Sequence, residues 1–291
     1  MRAQEGRLGW LQRRLRGAGP DDRRIRADLL RRIGDRRVTL LAAPIKAGRT
    51  WLRFCLASYL RRVFGLEPPV DLVTYLEYLP DDRLRGSGQI GAFRFFERPE
   101  VPLVICAHRL ELVLGRKPER AIVLLRNLFD AAVSSYYQLA FQQGKDVGEL
   151  CQAVVQPEFH ALTARLLGQL PGFLAGIPHH VLTYEQMHAD AASTLRGVVG
   201  WLGLPSDARA LAAVVEETRF ERMLEAEKRT PLRGRRYDVE DPRMRRIRRG
   251  VVGGHWDELG DAERARISAL YREALGPEAW ALVQRYRLLG T

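Results

Sequence analysis

One lysine and one glycine stand between an apolar run and an amphipathic pattern in residues 38–53, VTLLAAPIKAGRTWLR, which predicts a strand, a loop and a helix. Backbone N–H groups in the first turn of such a helix have no partner within it, so they can bind an anion, and Lys46 adds a positive charge. The loop is not a Walker A sequence, because Ala43 stands at its first glycine and Arg49 at its lysine. The segment therefore predicts a phosphate site of another kind.

A second apolar run meets a predicted helix in residues 121–137, AIVLLRNLFDAAVSSYY. Arg126 closes the predicted strand, and Ser134 follows eight residues later inside the helix. Because the chain reverses between strand and helix, both side chains can converge on one phosphate, which takes a guanidinium fork and a hydroxyl. The alternative is that Arg126 is a surface charge and Ser134 an ordinary helical residue.

These two segments resemble the cofactor motifs of sulfotransferases. The first is similar to the 5′-phosphosulfate loop P-K-S-G-[TRN]-T-W-L, and it matches at Lys46, Gly48, Thr50 and Trp51. Ile45 replaces a proline of that pattern, and Ala47 replaces a serine. The second is similar to the 3′-phosphate signature R-N-x-x-D-x-x-x-S-x-Y, and it matches at Arg126, Asn127, Asp130, Ser134 and Tyr136.

Three further segments resemble parts of the same family. Residues 181–187 are similar to V-L-x-Y-E-D-M, whose tyrosine, here Tyr184, approaches the adenine. Residues 218–223 are similar to T-S-F-x-x-M, which packs on the base through Thr218 and Phe220. Residues 247–256 are similar to the closing loop R-K-G-x-x-G-x-W, with one extra residue that leaves the register after Gly250 open. Local sequence alone allows two other interpretations. Tyr184 is equally consistent with a core tyrosine after a buried strand, and residues 218–223 with the apolar face of a helix.

The resemblance implies a cofactor, 3′-phosphoadenosine 5′-phosphosulfate (PAPS), whose product is 3′-phosphoadenosine 5′-phosphate (PAP). The implied cofactor-binding residues are Lys46, Ala47, Gly48, Arg49, Thr50, Trp51, Arg126, Ser134, Tyr184, Thr218, Phe220, Arg248, Arg249 and Gly250.

A histidine ends the predicted strand of residues 101–108, VPLVICAH, and ligands of open parallel sheets lie beyond such strand ends. His108 is similar to the catalytic histidine of the K-T-H pattern, although Cys106 and Ala107 replace Lys-Thr and remove a supporting cation. The implied mechanism has His108, with a near-neutral pKa, as general base and Lys46 stabilising the leaving phosphate. The alternative for His108 is a structural role.

No metal is expected from the sequence. The strands predicted over residues 38–43, 101–107 and 121–125 end in no aspartate that could bind magnesium, which disfavours a kinase or GTPase. Cys55, Cys106 and Cys151 are isolated, and the pair His179 and His180 has no neighbouring ligand for zinc.

The composition bounds the class of protein. The 291 residues are 46% hydrophobic, enough for one substantial core, and no apolar stretch is long enough to span a membrane. Three scattered cysteines predict reduced thiols in the cytoplasm. The net charge of +12 is concentrated in residues 1–37, with 12 arginines and 5 acidic residues, and in residues 228–249, with 10 basic and 3 acidic residues. No pattern typical of nucleic-acid binding accompanies these charges.

Helices are predicted over residues 50–64, 130–142, 158–170, 191–202, 207–216 and 261–275. Alternation with apolar strands predicts an α/β fold with a central parallel sheet covered by helices. The resemblance implies that this is the three-layer, P-loop-NTPase-like arrangement of sulfotransferases. The predicted division is a basic N-terminal arm or helix, residues 1–36, followed by a sulfotransferase domain, residues 37–291. The arm is interpreted as a packed or solvated helix, with a membrane-surface role as the alternative.

The resulting hypothesis is a PAPS-dependent sulfotransferase. The acceptor is open among a phenol, alcohol, amine, glycan or lipid head group, and the oligomeric state is open as well. Residues 65–100 and 231–242 are predicted to form acceptor-side loops and a lid, and acceptor contacts are expected within 75–96 and 142–159. The alternatives are a P-loop-like kinase or other nucleotide-binding enzyme, and a non-catalytic basic protein that binds polyanions.

Overall fold

The computed structural model describes residues 20–84, 89–108, 110, 117–230, 238 and 240–290. Residues 1–19 of the predicted arm and most of the lid predicted over 231–242 lie outside these ranges. The described part of the arm forms α1, Pro20–Ile33, which buries Leu29 and Ile33 in the core.

The centre of the described fold is a four-stranded parallel sheet in the order β2-β1-β3-β4. Its strands are β1 Val38–Ala42, β2 Leu103–Ala107, β3 Arg120–Leu125 and β4 His179–Thr183. Leu40 lies opposite Ile105 on one side and Ala121 on the other. The first two strands are buried along their whole length, which is why their sequences are continuous apolar runs rather than alternating ones.

Helices surround this sheet. In the described part they are α1 Pro20–Ile33, α2 Arg49–Phe64, α3 Tyr75–Tyr78, α4 Leu128–Tyr137, α5 Leu150–Val154, α6 Pro157–Leu174, α7 Tyr184–Ala189, α8 Ala191–Leu202, α9 Ala208–Glu217, α10 Phe220–Arg229, α11 Asp261–Ala274 and α12 Pro277–Arg285. Short 3₁₀ turns lie at Ile90–Ala92, Pro242–Met244 and Gly254–Asp257. The predicted α/β fold with a parallel sheet flanked by helices is confirmed.

Two predicted helices have different ends. The helix predicted over 130–142 starts earlier, because the Asn127 side chain accepts hydrogen bonds from the first-turn amides, and its last five residues, Gln138–Gln142, form a π-helical turn. The helix predicted to end at residue 170 continues through Pro171 to Leu174, where Leu170 and Leu174 are buried in the core. Packing outweighs the backbone bond that the proline removes.

The segment predicted as acceptor-side loops over residues 65–100 contributes to the core as well. Tyr75, Tyr78 and Phe93 are buried. Residue Asp81 then forms a β-bridge with Cys106, which places the following residues at the carboxyl end of β2. No helix in the described part is long and apolar enough to cross a membrane.

Candidate cofactor and reaction site

A cleft of 1270 Å³ opens at the carboxyl ends of the strands. Every residue of the predicted site lines it except Ala47, which is completely buried. The strand order places the functional side chains in a row. His108 follows β2, the Lys46 loop follows β1, Arg126 follows β3 and Tyr184 follows β4. Neighbouring strands lie about 4.8 Å apart, so side chains at the ends of all four strands can contact one extended ligand.

The loop between β1 and α2 has an unusual backbone. Lys46 has a φ of 64° and Gly48 a φ of 90°, both in the left-handed region. A Cβ added at Gly48 would also lie 2.5 Å from Cδ2 of Tyr184, so only glycine allows this tyrosine to pack on the loop. The sixteen-residue helix α2 begins directly after this loop, and its first residues Arg49 to Trp51 line the cleft, so the positive end of the helix dipole favours an anion there.

Arg126 joins three parts of the cleft. Its Nη1 donates a hydrogen bond to the carbonyl oxygen of Lys46 at 3.1 Å, and its Nη2 donates to that of Val251 at 3.4 Å. Its guanidinium lies 4.2 Å from the centre of the Tyr184 ring. Arg126 therefore holds the Lys46 loop, the closing loop of residues 247–256 and the tyrosine in one arrangement.

Asp130 lines the cleft and contacts the closing loop, a role that its place in the sequence motif alone did not indicate. Its carboxylate accepts hydrogen bonds from the backbone amides of Gly253 at 2.9 Å and His255 at 3.0 Å, and from Nδ1 of His255 at 2.9 Å. Burial alone would raise the pKa of Asp130, but these hydrogen bonds and the charge of Arg126 outweigh it and lower that pKa. Asp130 thus anchors the closing loop, and its place in the 3′-phosphate signature was the available signal that it belongs to the site.

Two arginines of the closing loop, Arg248 and Arg249, pair with one carboxylate. Arg248 Nη1 lies 2.9 Å from Oε1 of Glu258, and Arg249 Nη1 lies 3.3 Å from the same oxygen. Arg249 also pairs with Asp257. The guanidinium of Arg248 covers the Tyr137 ring at 4.0 Å. Trp256, which the extra residue precedes in the sequence, lies in the 3₁₀ turn Gly254–Asp257 with its side chain exposed.

Gly250 is expected to be essential for the closing loop. It has a φ of 64°, and an added Cβ would lie 2.1 Å from Cδ2 of Phe220. Gly250→Ala therefore has to displace the ring or the loop, at a cost of about 1–2 kcal/mol for the left-handed backbone alone. We expect the affinity for PAP, measured by calorimetry, to fall about tenfold or more.

The matched control is Gly200→Ala, an exposed site in α8 where an added Cβ meets nothing within 4 Å. It should leave PAP affinity unchanged. Equal affinity in both variants would show that the closing loop does not take part in nucleotide binding.

His108 is partly buried at the end of β2, and its Nδ1 lies 2.8 Å from the carbonyl oxygen of Ala43. A carbonyl only accepts, so Nδ1 carries the proton and Nε2 carries the lone pair of the neutral ring. Burial lowers the pKa of His108 to about 3, and the positive charge of Arg49 lowers that pKa as well. The near-neutral pKa expected from the sequence is therefore wrong for the ligand-free cleft, because that expectation lacked these surroundings.

The comparison with known proteins decides the family. The family model of the sulfotransferase domain matches residues 37–277. The chain belongs to the sulfotransferase family. No curated protein sequence matches it.

Solved structures share the sulfotransferase fold at low sequence identity. Retinol dehydratase in complex with retinol and PAP is 15% identical, with a TM-score of 0.58, and the match covers 88% of this chain and 86% of that one. Mouse sulfotransferase SULT7A1 in complex with PAP is also 15% identical, with a TM-score of 0.54 and coverage of 90% and 93%. A second retinol dehydratase complex, with androsterone and PAP, has a TM-score of 0.54 at 15% identity and covers 88% and 86%.

Three donor or acceptor nitrogens in the sulfotransferase cleft are buried without a hydrogen-bond partner in the described part of the chain. They are Trp51 Nε1, Arg126 Nε and His255 Nε2. Buried polar atoms in folded proteins normally have partners, so these atoms fit a polar ligand in the cleft. Within the same described residues, no three His, Cys, Asp or Glu side chains are grouped to hold a metal ion.

Proposed function

We propose that this protein is a PAPS-dependent sulfotransferase, which moves a sulfuryl group from PAPS to a hydroxyl or amine acceptor by in-line displacement. One observation carries the proposal. The helix N-terminus with Lys46, the Arg126 and Ser134 pair, and His108 all line one cleft in the order of the strands that precede them. This order supports a donor nucleotide along the sheet edge with the acceptor at the β2 end.

Each part of the cleft has a proposed role toward the cofactor. Lys46 and the amides of Gly48, Arg49 and Thr50 bind the 5′-phosphosulfate, since a helix N-terminus favours an anion. The amides of Ala47 and Trp51 donate instead to the carbonyl oxygens of Pro44 and Gly48. Arg126, Ser134, Arg248, Arg249 and the Gly250 amide bind the 3′-phosphate. Tyr184, Thr218 and Phe220 pack around the adenine. The PAP complexes of retinol dehydratase and mouse SULT7A1 support this choice of nucleotide.

The proposed chemistry conserves atoms and charge. PAPS supplies the sulfuryl group: the acceptor oxygen or nitrogen bonds to sulfur, and the bond from sulfur to the 5′-phosphate oxygen breaks with its electron pair left on that oxygen. His108 accepts the acceptor's proton at Nε2, because its Nδ1–H is already committed to Ala43. Lys46 and the α2 amides stabilise the charge that develops on the phosphate oxygen.

We propose a small molecule, a glycan or a lipid head group as the acceptor. Retinol and androsterone, found in the retinol dehydratase complexes, are small hydroxyl compounds and support this class. The three cysteines are free, which supports the cytoplasm as the proposed location. No nucleic acid is proposed as a partner. A membrane-surface role of the N-terminal arm stays a prediction, because residues 1–19 lie outside the described part.

Titration with PAP, 5′-AMP and ATP with magnesium tests the proposal against a kinase. The wild-type protein should bind PAP more tightly than 5′-AMP, and ATP with magnesium should not compete. Arg126→Ala should reduce the preference for PAP over 5′-AMP about 10- to 100-fold, because a hydrogen bond to a charged group is worth roughly 1.5–3 kcal/mol. Calorimetry measures all three affinities.

Arg120→Ala is the matched control. Arg120 lies at the amino end of the same strand, opposite the end that carries Arg126, and its guanidinium packs against Trp201. It should keep the preference for PAP. Tight binding of ATP with magnesium and no preference for PAP in the wild type would replace the sulfotransferase proposal with the kinase. Equally tight binding of any polyanion would favour the non-catalytic alternative.

A further inference from the structure

Three arginines converge on one carboxylate in the wall of the cleft. Asp81 Oδ1 lies 2.8 Å from Nη1 of Arg53 and 3.5 Å from Nη2 of Arg49. Arg83 pairs with the other oxygen of Asp81. The next residue, Asp82, also lines the cleft, and the charges of Arg49 and Arg83 act on its carboxyl group. Among the described residues, this cluster therefore contains three arginines and two aspartates.

This cluster has a fixed position relative to the reaction centre. The backbone of Asp81 bridges to Cys106, and the amide of Asp82 donates to the carbonyl oxygen of Cys106 at 3.0 Å. Cys106 stands two residues before His108 in the sequence. The sheet thus holds the cluster next to the end of β2.

The arginines on Asp81 are not equivalent. Arg53 is 1% exposed, it donates to Asp81 and to the carbonyl oxygen of Leu79, and its guanidinium lies 4.9 Å from the centre of the Tyr75 ring. Its role is structural. Arg49 lines the cleft, and among the described residues its guanidinium makes one ion pair, the 3.5 Å contact with Asp81. Arg49 therefore keeps hydrogen-bond donors for another anion.

Arg49 also lies between the two groups that the reaction has to join. It follows Gly48 in the loop proposed to bind the 5′-phosphosulfate, and its side chain reaches toward Asp81 on the β2 side. Of the charged groups that act on His108, which are Arg49, Asp81 and Arg53, Arg49 has the largest effect. Arg49 is therefore placed near both the proposed phosphosulfate loop and His108.

We propose that the Arg49 side chain is a catalytic residue that donates hydrogen bonds to the non-bridging oxygens of the sulfuryl group in transfer. This inference rests on the proposed function and goes beyond it, since there Arg49 contributes its backbone amide. Asp81 and Arg53 act as positioning residues that hold the guanidinium in place. Arg49 in this way supplies a positive charge near His108 in a chain that has Cys106 in place of the lysine of the K-T-H pattern. As before, the bond from sulfur to the 5′-phosphate oxygen breaks with the electron pair left on that oxygen. The sulfuryl group bonds to the acceptor, whose proton goes to His108.

Binding measurements on Arg49→Gln test the inference without knowledge of the acceptor. Because PAPS carries the sulfuryl group and PAP does not, the variant should lose about tenfold or more in affinity for PAPS and keep its affinity for PAP within about threefold. With p-nitrophenol as acceptor, kcat should fall about 10- to 100-fold. The pKa of His108, followed by NMR of the ring in the ligand-free protein, should rise, because a nearby positive charge has been removed.

Two further variants keep the test decisive. Arg62→Gln, on the same helix with a partner in Glu217, should change none of these values. Arg49→Lys keeps the charge without the planar fork, so its PAPS affinity and kcat should lie between those of the wild type and Arg49→Gln. If Arg49→Gln does not fold, the lysine variant decides the question through the same ratio of PAPS to PAP affinity.

Unchanged PAPS affinity and kcat in Arg49→Gln, or in Arg49→Lys where the glutamine variant does not fold, would overturn the role of Arg49 and leave the proposed function intact. Equal loss of PAPS and PAP affinity would overturn it as well and make Arg49 a structural part of the loop. Failure of the wild-type protein to bind PAP at all would instead refute the proposed function.

Discussion

Replacing His108 with alanine is expected to lower kcat about 10²- to 10⁴-fold and to leave the affinity for PAP nearly unchanged. The imidazole stands at the end of β2 with Nε2 unprotonated, while the nucleotide contacts are proposed along β1, β3 and β4. Removal of the ring therefore removes the proton acceptor and leaves the nucleotide site in place. Release of PAP from PAPS with benzyl alcohol as acceptor measures the effect, and p-nitrophenol serves as the acidic acceptor for comparison.

The acceptor should decide how large the loss is. An acidic phenol needs little help to lose its proton, so the rate of His108→Ala should approach that of the wild type as the acceptor pKa falls. The matched control is His179→Ala, because Nδ1 of His179 also lies beside a main-chain carbonyl, that of Ile177 at 3.0 Å, but at the beginning of β4. Near-normal turnover of benzyl alcohol by His108→Ala would place the base elsewhere.

The pH dependence follows from the lowered pKa of His108. A group whose pKa is about 3 is already neutral above pH 5, so a further rise in pH adds no proton acceptor. Because kcat/KM for PAPS reports the free enzyme, it should show no rising limb from His108 between pH 6 and 8. The sequence alone predicts such a limb near pH 7. The difference comes from the burial of His108 and from the charge of Arg49, and the sequence around His108 indicates neither of them.

The fold was predictable because its signals are local and repeated. Buried parallel strands require continuous apolar runs, and residues 38–42, 103–107 and 120–125 have them. Helix ends were less predictable. Asn127 caps α4 three residues before the predicted start, and the buried Leu174 carries α6 past Pro171, so both ends depend on contacts that no periodicity reports.

The candidate site divides in the same way. Lys46, Gly48, Arg126 and Ser134 could be placed in one cleft because each follows a strand, and the carboxyl ends of parallel strands share one edge. Asp81 could not be placed, since it lies in a loop 32 residues after Arg49, and its position depends on a bridge to Cys106. The same holds for Glu258, which pairs with Arg248 and Arg249 from the position directly after the 3₁₀ turn Gly254–Asp257.

Lys46→Ala is expected to lower kcat about 10²- to 10³-fold with PAP affinity within about threefold of the wild type, because its proposed task is the charge that develops on the leaving oxygen. Alanine is the informative replacement here. Lysine and alanine both have a Cβ, so the left-handed backbone at residue 46, with its φ of 64°, is equally strained in both proteins. The comparison therefore reports the ammonium group and the side chain rather than the loop conformation.

Two control variants isolate the charge of Lys46. Lys228→Ala, an exposed position on α10, should leave kcat and PAP affinity unchanged, and Lys46→Arg should recover part of the loss because it restores a positive charge without the geometry of the ammonium. Steady-state kinetics with PAPS and p-nitrophenol, together with calorimetry with PAP, separate catalysis from binding. If Lys46→Ala instead loses PAP affinity and keeps its turnover at saturating PAPS, Lys46 is a clamp for the ground state. Stabilisation of the leaving oxygen then falls to the α2 amides, which lie at the N-terminus of a helix and carry positive potential without any side chain.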